Sequence, residues 1–465
     1  MPEELGKEQR GYTVLEHPLV FLHLSDIHFP VVSGGAAYDL NRDVRASLIR
    51  DVAEIRQSVG KPHAILITGD IAFAGKRQEY QIAADWLDTD LCQATDSDAS
   101  AIWCVPGNHD VDRSIIRDCR TYQLVHEELR SCDPAQIDNR FRPYIKEPEV
   151  FYKPIEGYND FALRYECAIS VRQPTWYTDF FLNDSSILRL HGLNSTLISD
   201  EQDHLDTAKL ILGTHQCQLP QVPGIENVTL CHHPPDWLRD GESVDEILVP
   251  RTRIQLYGHK HRHRLRRIGD SLQIAAGALH PDRNGAGWDP RYNWVSIWID
   301  THNQVRTMQI CVYPRLWSRQ DQRFVADSNS CQGRDNCQFS FSLAAWQPKT
   351  PTTLDSDALV GEESLKLTVP DPAHSASASG GNPVHDPART LTHRFFSLSY
   401  VKKISIASKL NLHADEDADL DEIQRLRMYL ARAKKQGTLA DLWDLVEQTH
   451  GDHKYADNPY RQQPE

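Results

Sequence analysis

Five short segments carry an unusual density of Asp, His and Asn, and four of them directly follow an apolar run. They are HLSDIHFP, ITGDIAFAGK, VPGNHD, TLCHHPPD and YGHKHRH. Short apolar runs bounded by turn-forming residues read as buried strands. Polar residues gathered where such strands end lie along one edge of a sheet, which is where α/β folds place their sites. This pattern constrains the chain to a layered α/β domain.

The pattern of apolar runs alternating with longer mixed segments extends from about residue 15 to 345. Strands are expected at Val20 to Leu24, Ala64 to Thr68, Ile102 to Val105, Ile187 to His191, Val228 to Cys231, Ile254 to Tyr257, Leu272 to Ala275 and Trp294 to Ile299. Helices are expected at Asp43 to Gln57 and Gln78 to Leu87. The long segment from Asp112 to Tyr177 interrupts the sheet pattern and is rich in aromatics, among them Tyr144, Phe151, Tyr152, Tyr158, Phe161 and Tyr165. Those rings either pack an inserted helical layer or cap the site and stack a base.

Between residues 346 and 390 the character changes, with six prolines and the run SASASGGNP, and a flexible linker is expected. Helical periodicity then resumes in residues 391–465. Val401, Ile404, Ala407 and Leu410 suggest one helix, Ile423, Leu426, Leu430 and Ala433 a second that stops at Gly437, and Leu439, Leu442, Trp443 and Val446 a third. The organisation read from the chain is therefore a catalytic domain at 1–345, a linker at 346–390 and a small helical domain at 391–465. Residues 391–450, with an acidic and a basic stretch side by side, form a possible surface for a protein partner.

Composition excludes several classes. At 465 residues the chain exceeds what one core usually serves. A net charge of -15 argues against broad tracking of polyanions, although the stretch from Arg251 to Arg267 is basic and lies beside the histidine-rich segments. No apolar run is long enough to span a bilayer, and the N-terminal twenty residues lack the apolar core of a secretory signal, so the expected location is cytoplasmic. The ten cysteines, including the neighbours Cys331 and Cys337, are expected to be reduced.

The residue types in the five segments suit metal-assisted hydrolysis. Asp26 and His28 are one residue apart, and on an extended backbone both would point to one side and grip a single cation. Asp70 can offer one oxygen to each of two cations. Gly107 would permit a tight turn that exposes Asn108, His109 and Asp110. His232 stands at another strand end before two prolines, and His259 and His261 are again two apart. Imidazole, carboxylate and amide donors without sulfur match manganese, iron, zinc or nickel. His233 and His263 fall out of phase with their neighbours and suit supporting or solvent roles, while Asn194 and His280 stay outside the expected site.

The order D-x-H, GD, GNHD, H and GH-x-H over residues 20 to 300 resembles the calcineurin-like metallophosphoesterase superfamily. The resemblance implies a four-layer α/β/β/α sandwich with the site at one edge. It implies two divalent metal ions, one held by Asp26, His28, Asp70 and His261 and the other by Asp70, Asn108, His232 and His259. His109 would stabilise or protonate the leaving oxygen, and Asp110 would either orient that ring or cap the turn through backbone amides. GDIAFAGK and GNHD depart from the protein-phosphatase pattern and look most like the cyclic-nucleotide and small phosphodiester branch. A phosphodiester of a nucleotide-like substrate is therefore expected, with a nuclease acting on DNA or RNA as the alternative. The C-terminal helices faintly resemble recruitment modules of bacterial conflict effectors.

Overall fold

The computed structural model describes residues 18–31, 39, 41–146, 148–203, 210–280, 288–302, 305–347, 386–414, 417, 420, 422–452, 454–455 and 457–461. Most of the expected linker, residues 348–385, lies outside the described residues. No described helix is long and apolar enough to cross a membrane.

Thirteen described strands form two sheets. The first contains β1 (Leu19–Leu24), β2 (Ala64–Ile67), β3 (Ile102–Cys104), β10 (Arg291–His302), β11 (Val305–Ser318), β12 (Arg323–Ala326) and β13 (Cys337–Ser342). The second contains β4 (Trp176–Phe181), β5 (Ile187–Gly192), β6 (Ile225–Leu230), β7 (Thr252–Tyr257), β8 (Arg264–Ile268) and β9 (Ser271–Ala275). In the first, β1, β2 and β3 run parallel and β10 joins β1 antiparallel. In the second, β5, β6, β7 and β9 run parallel. The parallel strands are the continuous apolar runs of the sequence, as strands covered on both faces should be; all six residues of β1 are buried.

The sheets meet face to face. Phe21 on β1 packs on Phe180 of β4 at 5.2 Å, and Trp103 on β3 packs on Trp176 of β4 at 5.2 Å. Helix Arg42–Val59 covers the outer face of the first sheet, where Asp51 receives two hydrogen bonds from Arg315 of β11 at 2.5 and 2.9 Å. Helix Gly241–Leu248 covers the second, where Asp245 accepts from Gln273 of β9 at 3.1 Å. The architecture is thus the expected α/β sandwich. Sequence reasoning missed β4, β8 and β11 to β13, of which β8 has three arginines in five residues and no apolar alternation. The aromatics between Asp112 and Tyr177 serve packing: Phe151, Tyr158, Phe161 and Tyr165 are buried, and Tyr158 donates to the Cys104 carbonyl at 3.0 Å.

Two expectations need correction. Cys331 and Cys337 are bonded as a disulfide, because the turn after β12 brings Cys331 back beside the start of β13 with the Cα atoms 5.1 Å apart. The helical unit also begins earlier than residue 391, and among the described residues it has four helices, Pro387–Ser397, Tyr400–Lys409, Glu422–Gln436 and Leu439–His450. Asp386 caps the first through the Ala388 and Arg389 amides, and Pro387 sits where a helix tolerates proline. That proline had counted toward the linker composition.

The helical unit packs into the same apolar core as the sheets through Leu391, Phe395 and Phe396. Arg389 is its anchor. Its guanidinium lies 3.3 Å over the Trp103 ring and donates to the carbonyls of Ile102 on β3 and of Tyr165, at 2.8 and 2.9 Å. His393 adds a contact to Asp88 at 3.0 Å, and Arg427 donates to Gln173 at 2.7 Å. Replacing Arg389 by Ala removes two buried hydrogen bonds and the contact with the Trp103 ring, and we expect a loss of about 3 kcal/mol in unfolding free energy. Equilibrium denaturation of the full chain measures it; an unchanged midpoint would show that the contact contributes no stability.

Candidate metal centre

The site forms where the parallel strands of both sheets end. The loop after β1 and the loop after β2 are joined backbone to backbone: Asp26 donates to the Gly69 carbonyl at 3.1 Å, Ile27 and His28 to the Asp70 carbonyl at 3.0 Å each, and Phe29 to the Ile71 carbonyl at 2.8 Å. The loop after β3 is stapled to them by Asp110. Its carboxylate accepts from the amides of Gly107 at 2.8 Å, Ala72 at 2.9 Å and Ile71 at 3.2 Å, and from the Tyr80 hydroxyl at 2.9 Å. Asp110 thus binds loop amides and does not orient His109. The His109 ring is held instead by the Phe73 carbonyl, 2.7 Å from its Nδ1.

Seven residues named from the sequence converge. Asp70 Oδ2 lies 3.5 Å from His28 Nε2 and 3.4 Å from His232 Nε2. On one side, Asp26 Oδ1 is 3.3 Å from His261 Nε2 and 3.9 Å from His28 Nε2. On the other, Asn108 Oδ1 is 3.2 Å from His232 Nε2 and 3.0 Å from His259 Nδ1. The His109 ring stands 4.4 Å from that of His28.

The local reason for this convergence differs from the expected one. Asp26, His28, Asp70, His259 and His261 all adopt positive φ, between 52° and 63°, and make up five of the eleven such non-glycine residues described. The left-handed region costs about 1–2 kcal/mol for an L residue, so the backbone is strained where these side chains meet. An extended backbone is therefore not what turns Asp26 and His28, or His259 and His261, toward one centre. Gly107 is also explained differently. Its φ is -108°, and a Cβ there would lie 2.2 Å from Asp70 Oδ1 and 2.5 Å from the Asp70 amide. Glycine is required by close approach of the two loops.

Each carboxylate divides its oxygens. Asp26 Oδ2 accepts from Ser25 Oγ at 2.5 Å and from the His259 amide at 3.1 Å, and Asp70 Oδ1 accepts from the His109 amide at 2.8 Å. Asp26 Oδ1, Asp70 Oδ2 and His28 Nε2 are buried and take part in no hydrogen bond. Burial works to raise both carboxyls, yet the imidazoles of His261 and His28 beside Asp26, and of His232 near Asp70, hold both well below the usual range. Burial likewise works to lower His232, but Asp70 and Asp26 outweigh it and push the imidazole up to about 9. His232 Nδ1 faces the Thr68 carbonyl at 2.6 Å, which assigns its hydrogen to that side and turns the Nε2 lone pair inward. Buried carboxylate oxygens, inward-facing imidazoles and an amide carbonyl fit divalent cations, and several three-residue groups here have donor atoms within 4.8 Å of one another.

Two histidines outside the expected set also reach the site. His233 Nε2 is 3.1 Å from Asn108 Oδ1, and its Nδ1 is 2.8 Å from Ser195 Oγ. The His280 ring lies 4.3 Å from His28 and 5.1 Å from His261. The available signal for His280 was its place just beyond β9, at the same sheet edge. Asn194 serves its own turn, accepting from Thr196 at 2.7 and 2.9 Å, and His263 turns toward Ser330 Oγ at 3.3 Å. Trp237 packs on His259 at 4.1 Å and Trp288 on His261 at 4.2 Å.

A family model described as calcineurin-like phosphoesterase matches residues 19–263, and one described as GTPase-associated adaptor domain matches residues 387–448. A search of curated proteins finds no match. Among solved structures, the chain resembles a conserved uncharacterized protein from Streptococcus pneumoniae TIGR4, at 13% identity over 70% of this chain and 98% of that one, with a TM-score of 0.25. It also resembles Vacuolar Protein Sorting 29 from Cryptosporidium parvum, at 10% identity over 70% of this chain and 100% of that one, with a TM-score of 0.30. A third is wild-type Vps29 from Entamoeba histolytica complexed with zinc, at 10% identity over 70% and 99% of the two chains, with a TM-score of 0.27. The assignment rests on the sequence match, which spans more than half of the chain. With the D-x-H, GD, GNHD and GH-x-H segments all inside or at the border of the matched region, the chain belongs to the calcineurin-like phosphoesterase family.

Proposed function

We propose that this protein hydrolyses a phosphodiester of a nucleotide-like substrate with two divalent cations, one held by Asp26, His28, Asp70 and His261 and the other by Asp70, Asn108, His232 and His259. The observation that carries this reading is Asp70 Oδ2, a single buried oxygen within 3.5 Å of one imidazole from each set. When bound, the cations supply a nucleophile from water near neutral pH and offset the charge that builds on the phosphoryl oxygens.

The chain's own residues supply the rest. Asp26 Oδ2 and Asp70 Oδ1 are fixed by backbone amides, so the donor atoms need little reorganisation on binding. His109 stands beside His28 with Nδ1 tied to the Phe73 carbonyl, and its Nε2 is the atom assigned to proton exchange with the leaving oxygen. Asp110 keeps the three loops together and acts through their geometry. The helical unit docks beside β3, and its match to an adaptor domain supports a role in bringing a protein partner to the enzyme.

Three outcomes check this reading. With manganese, the full chain should cleave bis-p-nitrophenyl phosphate; no turnover with manganese, zinc, iron or nickel would overturn the proposal of an enzyme. Asp70→Asn should lower bound metal measured by mass spectrometry and reduce turnover by about a thousandfold. His109→Ala should reduce kcat by about a hundredfold while metal content stays at the wild-type value, and equal loss of metal would move His109 into the cation-holding set.

A further inference from the structure

The basic stretch from Arg251 to Arg267 divides into spent and unspent charges. Arg251 donates to the Ile247 carbonyl at 3.0 Å, Arg253 pairs with Glu226 at 2.9 Å, and Arg267 lies 4.5 Å over the Phe341 ring. Arg264 and Arg266 are exposed, and among the described residues neither makes a hydrogen bond or ion pair. Both stand on β8, the outer strand of the second sheet. Strand geometry puts alternate residues on one face about 6.6 Å apart. Here that face carries Arg264 and Arg266, whereas Leu265 is packed against the core and Arg267 against Phe341.

Arg264 and Arg266 line a cleft whose wall is next in sequence to the metal centre. Its other walls include Pro234, which follows His233, and Lys260, which lies between His259 and His261. Two carboxylates enter the same cleft. Asp236 pairs with Lys260, and Asp245, whose carboxyl is pushed up by burial, takes the Gln273 amide at 3.1 Å. Lys260 is thus taken by Asp236 and Arg266 acts on Asp245 only through space, so the guanidinium hydrogens of both arginines remain for an incoming anion. Trp237, next in sequence to Asp236 of the cleft wall, packs on His259 at 4.1 Å.

We propose that this cleft is a second phosphate subsite, which holds the phosphate next to the scissile one in a single-stranded nucleic acid. This rests on the reading of the metal centre above and names its substrate class. A pair of guanidiniums at strand spacing meets successive phosphates of an extended strand, as a positively charged groove does for unpaired nucleic acid. A cyclic mononucleotide carries one phosphate and leaves the pair unused. The net charge of -15 confines attraction to this strip.

The test uses the full-length protein and the double variant Arg264→Gln with Arg266→Gln. Binding of a fluorescein-labelled short oligothymidylate is followed by anisotropy with EDTA present to prevent cleavage, and hydrolysis of the oligonucleotide and of bis-p-nitrophenyl phosphate is followed with manganese. The double variant should bind the oligonucleotide roughly tenfold more weakly, and the slope of log affinity against log salt should shrink by about 1.4. It should lose oligonucleotide turnover in proportion while cleaving the small diester at the wild-type rate, and the paired Arg→Lys variant should restore most of the binding. Equal binding by wild type and double variant, or no binding by wild type, would overturn the subsite. Competition by a nucleoside triphosphate as strong as by the oligonucleotide would also overturn it, in favour of a free polyphosphate. If the small diester is not cleaved with any metal while arginine-dependent binding persists, the subsite stands and the reading of the reaction falls.

Discussion

Asp26 and Asp70 are both shielded from solvent, and a buried carboxylate is costly unless opposite charge and hydrogen bonds answer it. Their arrangement organises the whole sheet edge. One oxygen of each is bound by main-chain amides or by a hydroxyl, which fixes the direction of the other. That second oxygen faces imidazoles supplied from both sheets. The strained backbone at five of these residues and the enforced closeness of Gly107 to Asp70 are the conformational cost of the arrangement. Packing of the two sheets through Phe21, Phe180, Trp103 and Trp176 supplies the rigid frame that sustains it.

What could be read from the chain depended on how locally each property is encoded. The parallel strands are short, apolar and followed by turn residues, so β1, β2, β3 and β7 were legible, and the seven converging residues with them. The directions of those side chains were not. Whether Asp26 and His28 share a side depends on left-handed backbone conformations that spacing alone does not reveal. Asp110 illustrates the same limit from the other direction. Its position beside His109 left open whether it orients that ring or caps the turn, and its carboxylate takes the Gly107 amide of its own turn together with the Ile71 and Ala72 amides of the loop after β2. β8 escaped because five residues of which three are arginine carry no apolar alternation, and its place is set by pairing with β9.

The helical unit shows how composition can mislead about independence. Prolines and small residues before it suggested a tethered module, and its own periodicity suggested a self-contained bundle. Arg389 ties it to the sheet through Trp103 and two carbonyls, and its apolar residues belong to the core that the sheets share. A partner gripping this unit would therefore be mechanically continuous with β3, whose end leads directly to Asn108 and His109.

The position of Arg389 has another consequence. β3 is the last strand of its sheet, so its outer side has carbonyl and amide groups that no neighbouring strand satisfies. Such a border is a template on which a foreign strand can add, and proteins guard it with charge or with a covering element. Arg389 does both, since it brings a cation to the Ile102 carbonyl and carries a helix across the border behind it. The same unit that matches an adaptor thus covers the open border of β3 at Ile102.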